Sequence, residues 1–280
     1  MHILYKIKEI EHFISIEKNK GKTIGFVPTM GALHQGHISL IEASKKDNDI
    51  TVCSIFVNPT QFNNSSDLTH YPRTPDSDIK LLIDSKCDYL YMPDVDDVYP
   101  NLDEKTFDFG YIGLVLEGAH RPGHFNGVGQ VVSILLEGIK PHKAYFGIKD
   151  FQQVMIVKQM VKQSHIPVEI ISCPILREED GLAMSSRNVR LSLDERKLAS
   201  HIPKMMQEAN LIAKKQSIEN AKLFIQNFVS QFPIMKLDYY EICDVDTLEP
   251  ISILSENKQS VALIALFVGN IRLIDNWLVK

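Results

Sequence analysis

Little in this chain marks a secreted, membrane-spanning or metal-clustered protein. Its four cysteines, Cys53, Cys87, Cys173 and Cys243, form no CxxC pair, which argues against a disulfide framework or a zinc cluster. Cys53 and Cys173 sit in apolar strand-like runs, where a thiol serves as a small buried hydrophobe. The opening MHILYKIKEIEHF lacks the apolar stretch of a secretory signal, and no apolar run reaches transmembrane length. A reducing, cytoplasmic setting is the expectation. Positive charge is scarce too: 30 Lys and Arg stand against 35 Asp and Glu, a formal net charge of −5, with no basic tail or stripe. That argues against nucleic acid and anionic membranes as partners. An anionic ligand must instead meet a local cluster of donors.

What is present is an ordinary globular composition, 44% hydrophobic and 23% charged over 280 residues, long enough for a large and a small domain. The first two-thirds alternate between strand-like and helix-like segments. Strands are expected at Thr23–Val27, Ile50–Val57, Tyr89–Met92, Ala144–Phe146 and Val168–Ser172, and helices at Gly36–Lys46, Asp76–Lys86, Phe125–Gly138 and Asp150–Gln163. Short, fully apolar strands separated by helices imply a Rossmann-like α/β fold, a parallel sheet with helices on both faces. Ligands bind such sheets beyond the carboxyl ends of the strands. The last hundred residues read as helices over Leu193–Lys215, which Pro203 must interrupt or begin, and Ile218–Phe232. Strands follow at Leu237–Val245, Val261–Phe267 and Ile271–Trp277, the last two joined by a Gly269-Asn270 turn. This describes a small α+β domain with antiparallel strands. The division expected is 1–175 for the larger domain and 176–280 for the smaller.

Two segments carry chemistry. In the first, the strand ending at Pro28 passes through Met30-Gly31 into His34-Gln35-Gly36-His37 and an amphipathic helix. A strand, tight turn and helix N-terminus form an anion site, because unpaired N–H groups and the helix dipole both point at the turn. A histidine pair at this spacing suits metal ligands, solvated surface groups or phosphate donors. Zinc would need a third ligand, and none lies nearby at a metal spacing, whereas the flanking glycines allow close approach of the backbone to a ligand. The second segment, Asp180-Gly181-Leu182-Ala183-Met184-Ser185-Ser186-Arg187-Asn188, gathers two hydroxyls, a guanidinium and backbone amides. Alone it reads as a turn or helix cap; paired with the histidine turn it reads as a triphosphate loop.

HQGH resembles the HxGH element, and MSSRN the mobile KMSKS-type loop, of nucleotidyltransferases related to class I aminoacyl-tRNA synthetases. The likeness narrows further along the chain. VPTMGALHQGH, Phe56–Phe62 (FVNPTQF), Tyr71–Thr74 (YPRT), Arg121–Phe125 (RPGHF), Phe146–Gln153 (FGIKDFQQ) and Asp180–Asn188 together resemble the pantoate–β-alanine ligase family in order and spacing, over about residues 20 to 190.

The resemblance implies a two-step ligation, with ATP activating pantoate as an acyl adenylate that the amine of β-alanine then attacks. It implies an ATP site made by Met30, Gly31, Ala32, Leu33, His34, Gln35, Gly36 and His37. Gly147, Ile148, Lys149 and Asp150 join it, with Lys149 facing phosphate and Asp150 the ribose. Leu176 lies by adenine in this picture, and Met184, Ser185, Ser186 and Arg187 form a lid. His34, His37, Lys149 and Arg187 are the implied catalytic residues, with His37 the acid-type member. Gln61 and Gln153 are implied to bind pantoate, with Asn58 and Tyr71 contributing. Arg121 is a candidate for the β-alanine carboxylate or for structural support. Mg²⁺ is expected with ATP; Asp76 and Asp78 are nearby carboxylates, but Ser77 separates them where relatives carry adjacent acids, so no ligand is assigned. A homodimer is implied as well. Two other readings compete: a different HxGH adenylyltransferase, which would need a basic pocket for a substrate phosphate, and a non-catalytic nucleotide- or RNA-binding module, which intact motifs and net negative charge oppose.

Overall fold

The computed structural model describes residues 1–63, 65–100 and 105–279. It divides into two compact units, Met1–Pro174 and Ile175–Lys280. In the first unit the elements run β1 (His2–Leu4), α1 (Ile7–Asn19), β2 (Ile24–Thr29), α2 (Gln35–Asp47), β3 (Ile50–Ile55), α3 (Ser65–Thr69), α4 (Pro75–Asp84) and β4 (Tyr89–Tyr91). They continue through α5 (Val95–Val98), α6 (Glu117–His120), α7 (His124–Ile139), β5 (Lys143–Gly147), α8 (Phe151–Gln163) and β6 (Glu169–Cys173). The strands form one parallel sheet in the order β1-β4-β3-β2-β5-β6. The Rossmann-like fold expected from the alternating pattern is therefore present.

Period-two alternation along the strands sends neighbouring residues to opposite faces. Ile24, Phe26, Val52 and Phe146 pack in one core with Ile10, Ile14, Leu136, Val157 and Met160 of α1, α7 and α8. Val27, Cys53, Leu90 and Tyr145 pack in another with Leu40, Ile41 and Leu82 of α2 and α4. Helices therefore cover both faces. The first strand and helix lie in a segment for which no element was expected, and β1 extends the sheet edge by three residues beside β4.

Strand β2 corrects one expectation. It does not stop before Pro28 but runs through it, with Pro28 opposite Ser54 and Thr29 opposite Ile55. Ile24 O accepts from His142 N and Thr29 O from Phe56 N, so even-numbered residues of β2 face β5 and odd ones face β3. Pairing with β5 ends at Phe26. Pro28 thus lacks its N–H on an edge where no ladder bond is required. Beyond Phe26 the two strands part. Because β3 and β4 continue the sheet on one side and β5 and β6 on the other, this gap is the topological switch point.

The second unit holds α9 (Leu193–Ala199), α10 (His201–Lys215) and α11 (Ile218–Ser230), then an antiparallel sheet of β7 (Met235–Asp244), β8 (Ser260–Val268) and β9 (Ile271–Val279). The helices break at Ser200, and Pro203 lies in the first turn of α10, where a missing N–H is harmless. Its core joins Met206, Ala209, Ile225, Ile242 and Ile264. No helix among the described residues is long and apolar enough to cross a membrane.

Candidate active site

The turn after β2 is held from below. Gly31 and Ala32 both adopt left-handed backbone, at φ 82° and 48°. A Cβ on Gly31 would stand 3.0 Å from Ile55 Cγ2 and 3.1 Å from Asp78 Oδ2, so the position suits glycine on both counts. Asp78, in the first turns of α4 and almost wholly buried, accepts hydrogen bonds from Ala32 N at 2.9 Å, Leu33 N at 2.8 Å and Thr74 Oγ1 at 3.0 Å. Asp78, considered above beside a metal, thus pins the turn through its carboxylate. It also commits the Ala32 and Leu33 amides, so these residues shape the site rather than aim those N–H groups at a ligand.

The turn then delivers a reciprocal histidine cap. His34 is the N-cap of α2: its Nδ1 accepts from Gly36 N at 3.1 Å, while His37 Nδ1 accepts from His34 N at 3.2 Å. This is the geometry of a capping box built from two imidazoles with ring centroids 4.1 Å apart. A ring nitrogen that accepts carries no proton, so each neutral ring bears its hydrogen on Nε2. Burial pushes the His34 pKa down to about 4, helped by the Lys149 ammonium and opposed by Asp150. Burial pushes His37 down to about 3, helped by His34 and Lys149. Both are neutral hydrogen-bond donors near pH 7. Gln35 N–H, at the tip of the same helix, has no acceptor among the described residues.

Lys149 reaches this cluster from the end of β5. Gly147 closes that strand, Ile148–Asp150 form a 3-10 turn, and Asp150 leads into α8. The Lys149 side chain is largely covered and lies 3.8 Å from Asp150 Oδ2. The two lips of the switch point thus bring together Met30 through His37 and Gly147 through Asp150.

A second group is linked to the first by sulfur. Gln61 is buried, and its Nε2 lies 3.1 Å from Met30 Sδ. Asn58, expected to help hold substrate, is a structural hub. Its Nδ2 donates to Gly127 O at 3.1 Å and Gln61 Oε1 at 3.3 Å, while its Oδ1 accepts from Tyr99 OH at 2.8 Å and Thr60 Oγ1 at 3.1 Å. Tyr71 is buried and packs edge-on against Phe62. Neighbouring glutamines on α8 diverge. Gln152 is buried, accepting from Glu117 N and donating to Ile112 O and Val115 O. The Gln153 amide is half-buried and makes no hydrogen bond among the described residues. Arg121 donates to His124 Nε2 at 3.1 Å and Gln61 O at 3.4 Å, and lies 3.7 Å from Glu117 Oε2. Its structural role is therefore visible.

In the second unit, the segment from Leu176 to Met184 folds back on itself. Met184 N donates to Leu176 O, Glu178 N to Leu182 O, and Gly181 turns with φ 90°. Arg177 grips Asp275 with both guanidinium nitrogens at 2.7 and 2.9 Å, donates to Gly181 O, and lies 4.9 Å from the Trp277 ring centre. Ser185 Oγ accepts from Arg187 N at 3.2 Å, Ser186 is buried, and Asn188 Nδ2 donates to Ala183 O at 3.1 Å. Leu176 is exposed.

Sequence reasoning missed His124, and it noted Asp78 only as an unassigned carboxylate near a metal, without its place under the turn. Each acts on residues 45 or more positions away. The one local hint is that His124 stands inside RPGHF and Asp78 four residues beyond YPRT.

A parallel sheet with a histidine-capped helix and a lysine at its switch point defines a Rossmann-like α/β protein. Residues 2–278 match the family model described as pantoate-beta-alanine ligase, and the chain belongs to the pantoate–β-alanine ligase family. It is 46% identical over 276 residues to a pantothenate synthetase of Bacteroides fragilis, covering 99% of this chain and 98% of that one. It is 47% identical over 272 residues to the Cytophaga hutchinsonii pantothenate synthetase, covering 96% of each. Among solved structures, the Thermus thermophilus pantothenate synthetase matches at TM-score 0.91 and 36% identity over 99% of both chains. The Francisella tularensis pantoate-beta-alanine ligase, complexed with beta-gamma ATP and beta-alanine, matches at TM-score 0.83 and 38% identity, over 99% of this chain and 97% of that one.

Proposed function

We propose that this chain joins pantoate to β-alanine with ATP, in two steps. The pantoate carboxylate attacks the α-phosphorus, forming pantoyl adenylate and releasing pyrophosphate. The β-alanine amine then attacks the acyl carbon, forming the amide of pantothenate and releasing AMP. The observation that carries this reading is the reciprocal His34–His37 cap beside Lys149 at the switch point. It offers two neutral Nε2–H donors, a helix N-terminus and one cation where a triphosphate's charge would develop.

On this reading His34 and His37 act as fixed donors to phosphate oxygens. Their lowered pKa values make them poor proton stores near pH 7, so electrostatic stabilisation replaces the acid role expected of His37. Lys149 adds a point charge, Asp150 takes the ribose, and Met30 through Gly36 with Gly147 and Ile148 line the nucleotide. Leu176 packs by adenine, and Met184, Ser185, Ser186 and Arg187 cover the phosphates, excluding water that would hydrolyse the adenylate. Gln61 and Gln153 hold pantoate through neutral amides, which donate and accept while leaving its carboxylate nucleophilic. Asn58, Tyr71 and Arg121 support that pocket. The first unit is then the nucleotide- and pantoate-binding domain, and the second carries the lid.

Mg²⁺ would be held mainly by phosphates and water, since the Asp78 carboxylate is already engaged with three donors. A cytoplasmic homodimer is the expected state. Pyrophosphate release tests the reading: it should require ATP and pantoate, with AMP and pantothenate appearing on addition of β-alanine. A dinucleotide product, or ATP binding without pyrophosphate release, would sink it.

A further inference from the structure

His124 is a buried imidazole in the first turn of α7 whose two ring nitrogens are both committed. Nδ1 lies 2.8 Å from Gln61 O, and Nε2 lies 3.1 Å from Arg121 Nη1. A carbonyl only accepts and a guanidinium only donates, so the ring must carry its proton on Nδ1. This is the opposite tautomer to that of His34 and His37. The same helix presses on the same turn at a second point: a Cβ on Gly127 would stand 2.5 Å from Thr60 O and 2.8 Å from Gln61 N. Behind the histidine, Arg121 lies by Glu117, whose backbone N–H is held by Gln152 at the start of α8. The main chain of Gln61 is thereby fixed by a chain of contacts running back to the helix that bears Gln153.

We propose that His124 is a positioning residue for the hydroxy acid. Its Nδ1–H holds the Gln61 carbonyl, Arg121 locks the tautomer, and the Gln61 amide is thereby aimed at pantoate. The inference rests on the reading that Gln61 binds pantoate. Removing the donor costs the Gln61 carbonyl its shorter bond, leaving the 3.4 Å one from Arg121 Nη2, and lets the Pro59–Gln61 turn shift, an effect on the order of tenfold in affinity. The nucleotide turn is pinned separately by Asp78 and should not respond.

The test compares His124→Leu, His124→Asn and Gln61→Ala in steady-state kinetics with each substrate varied in turn. His124→Leu should raise the KM for pantoate about tenfold while leaving the KM for ATP within twofold. His124→Asn, which restores a short amide donor, should recover most of the loss. Equal rises in both KM values, or no change for pantoate, would overturn the proposal. If Gln61→Ala itself leaves the pantoate KM unchanged, the pantoate reading falls and takes this inference with it. If Gln61→Ala raises it and His124→Leu does not, the inference alone falls. Should His124→Leu fail to fold, long-range ¹H–¹⁵N spectra of the wild-type protein decide. His124 must show the Nδ1–H form and shift on titration with pantoate; an Nε2–H form, or no response at saturation, overturns the proposal.

Discussion

The two segments that the sequence singles out for phosphate are built in contrasting ways. The Met30–His37 turn is fixed throughout: Asp78 takes two of its amides, and two histidines cap the helix and each other. The Met184–Asn188 loop is held by near neighbours in the chain: Met184 N meets Leu176 O and Asn188 Nδ2 meets Ala183 O. Arg187 N donates to Ser185 Oγ and Asn188 N to Ser185 O, ties of the same local kind. The first design suits donors that must already be aimed when charge develops, since preorganised groups need no rearrangement in the transition state. On the proposed reading, the second belongs to a segment that completes a site after its ligand arrives. Substitutions in the two segments should therefore fail differently.

The largest effect is expected at His37. His37→Ala removes a fixed donor and half of the cap, so single-turnover adenylation should slow by about 10²–10³-fold while pantoate affinity is nearly unchanged. Equal losses in rate and in pantoate binding, measured by quench-flow and calorimetry, would show that the residue holds the fold instead. Asp78→Ala comes next and separates support from contact. It strands the buried Leu33 N–H and takes the carboxylate acceptor from the partly buried Ala32 N–H, which should destabilise the protein by about 2–4 kcal/mol and lower adenylation as well. A melting temperature like that of the wild type would mean that the turn stands without its pin. Arg187→Ala should act on the nucleotide instead, raising the apparent KM for ATP about tenfold. An unaltered ATP titration would remove Arg187 from the lid.

The same contrast explains what can be read from the sequence. The course from β2 through Gly31 to α2 is legible because every cue is local: an apolar run, glycines and a polar cap within fifteen residues. The antiparallel β8–β9 hairpin is legible for the same reason, from Gly269-Asn270 between apolar strands. The partners of these elements are not. Nothing near Leu33 indicates that its amide will meet a carboxylate 45 positions away, and nothing near Gln61 indicates His124, 63 positions on. Such bonds are set by how α4 and α7 pack on the sheet. Asn58 shows the converse hazard, since a polar residue inside a chemistry-bearing motif proves to be engaged within it, by Thr60 and Gln61, and beyond it, by Tyr99 and Gly127. Pro28 misleads for a related reason: its effect depends on which neighbour its missing N–H faces, and that is a property of the sheet.

A last prediction sets the two units against each other in acid. His34, His37 and His124 of the first unit have folded-state pKa values of about 4, 3 and 4, below the ordinary value of 6.5 that they regain on unfolding. The unfolded chain therefore binds more protons than the folded one as pH falls through 6.5, and stability falls with it until the folded forms also titrate near pH 4 to 3. The second unit contains one histidine, His201, which is exposed. Its shifted acids are Asp180 and Asp244, held below the usual carboxylate range chiefly by the Arg196 side chain and by the Asp246 N–H respectively. Their contribution is present above the ordinary carboxylate pKa and is lost only as pH falls beneath it. Between pH 6.5 and about 4.5, the first unit should therefore lose protection while the second keeps it. Hydrogen exchange corrected for its intrinsic pH dependence measures this segment by segment. Earlier opening of Ile175–Lys280, or simultaneous opening of both units in that window, would show that the buried histidines do not govern the acid response.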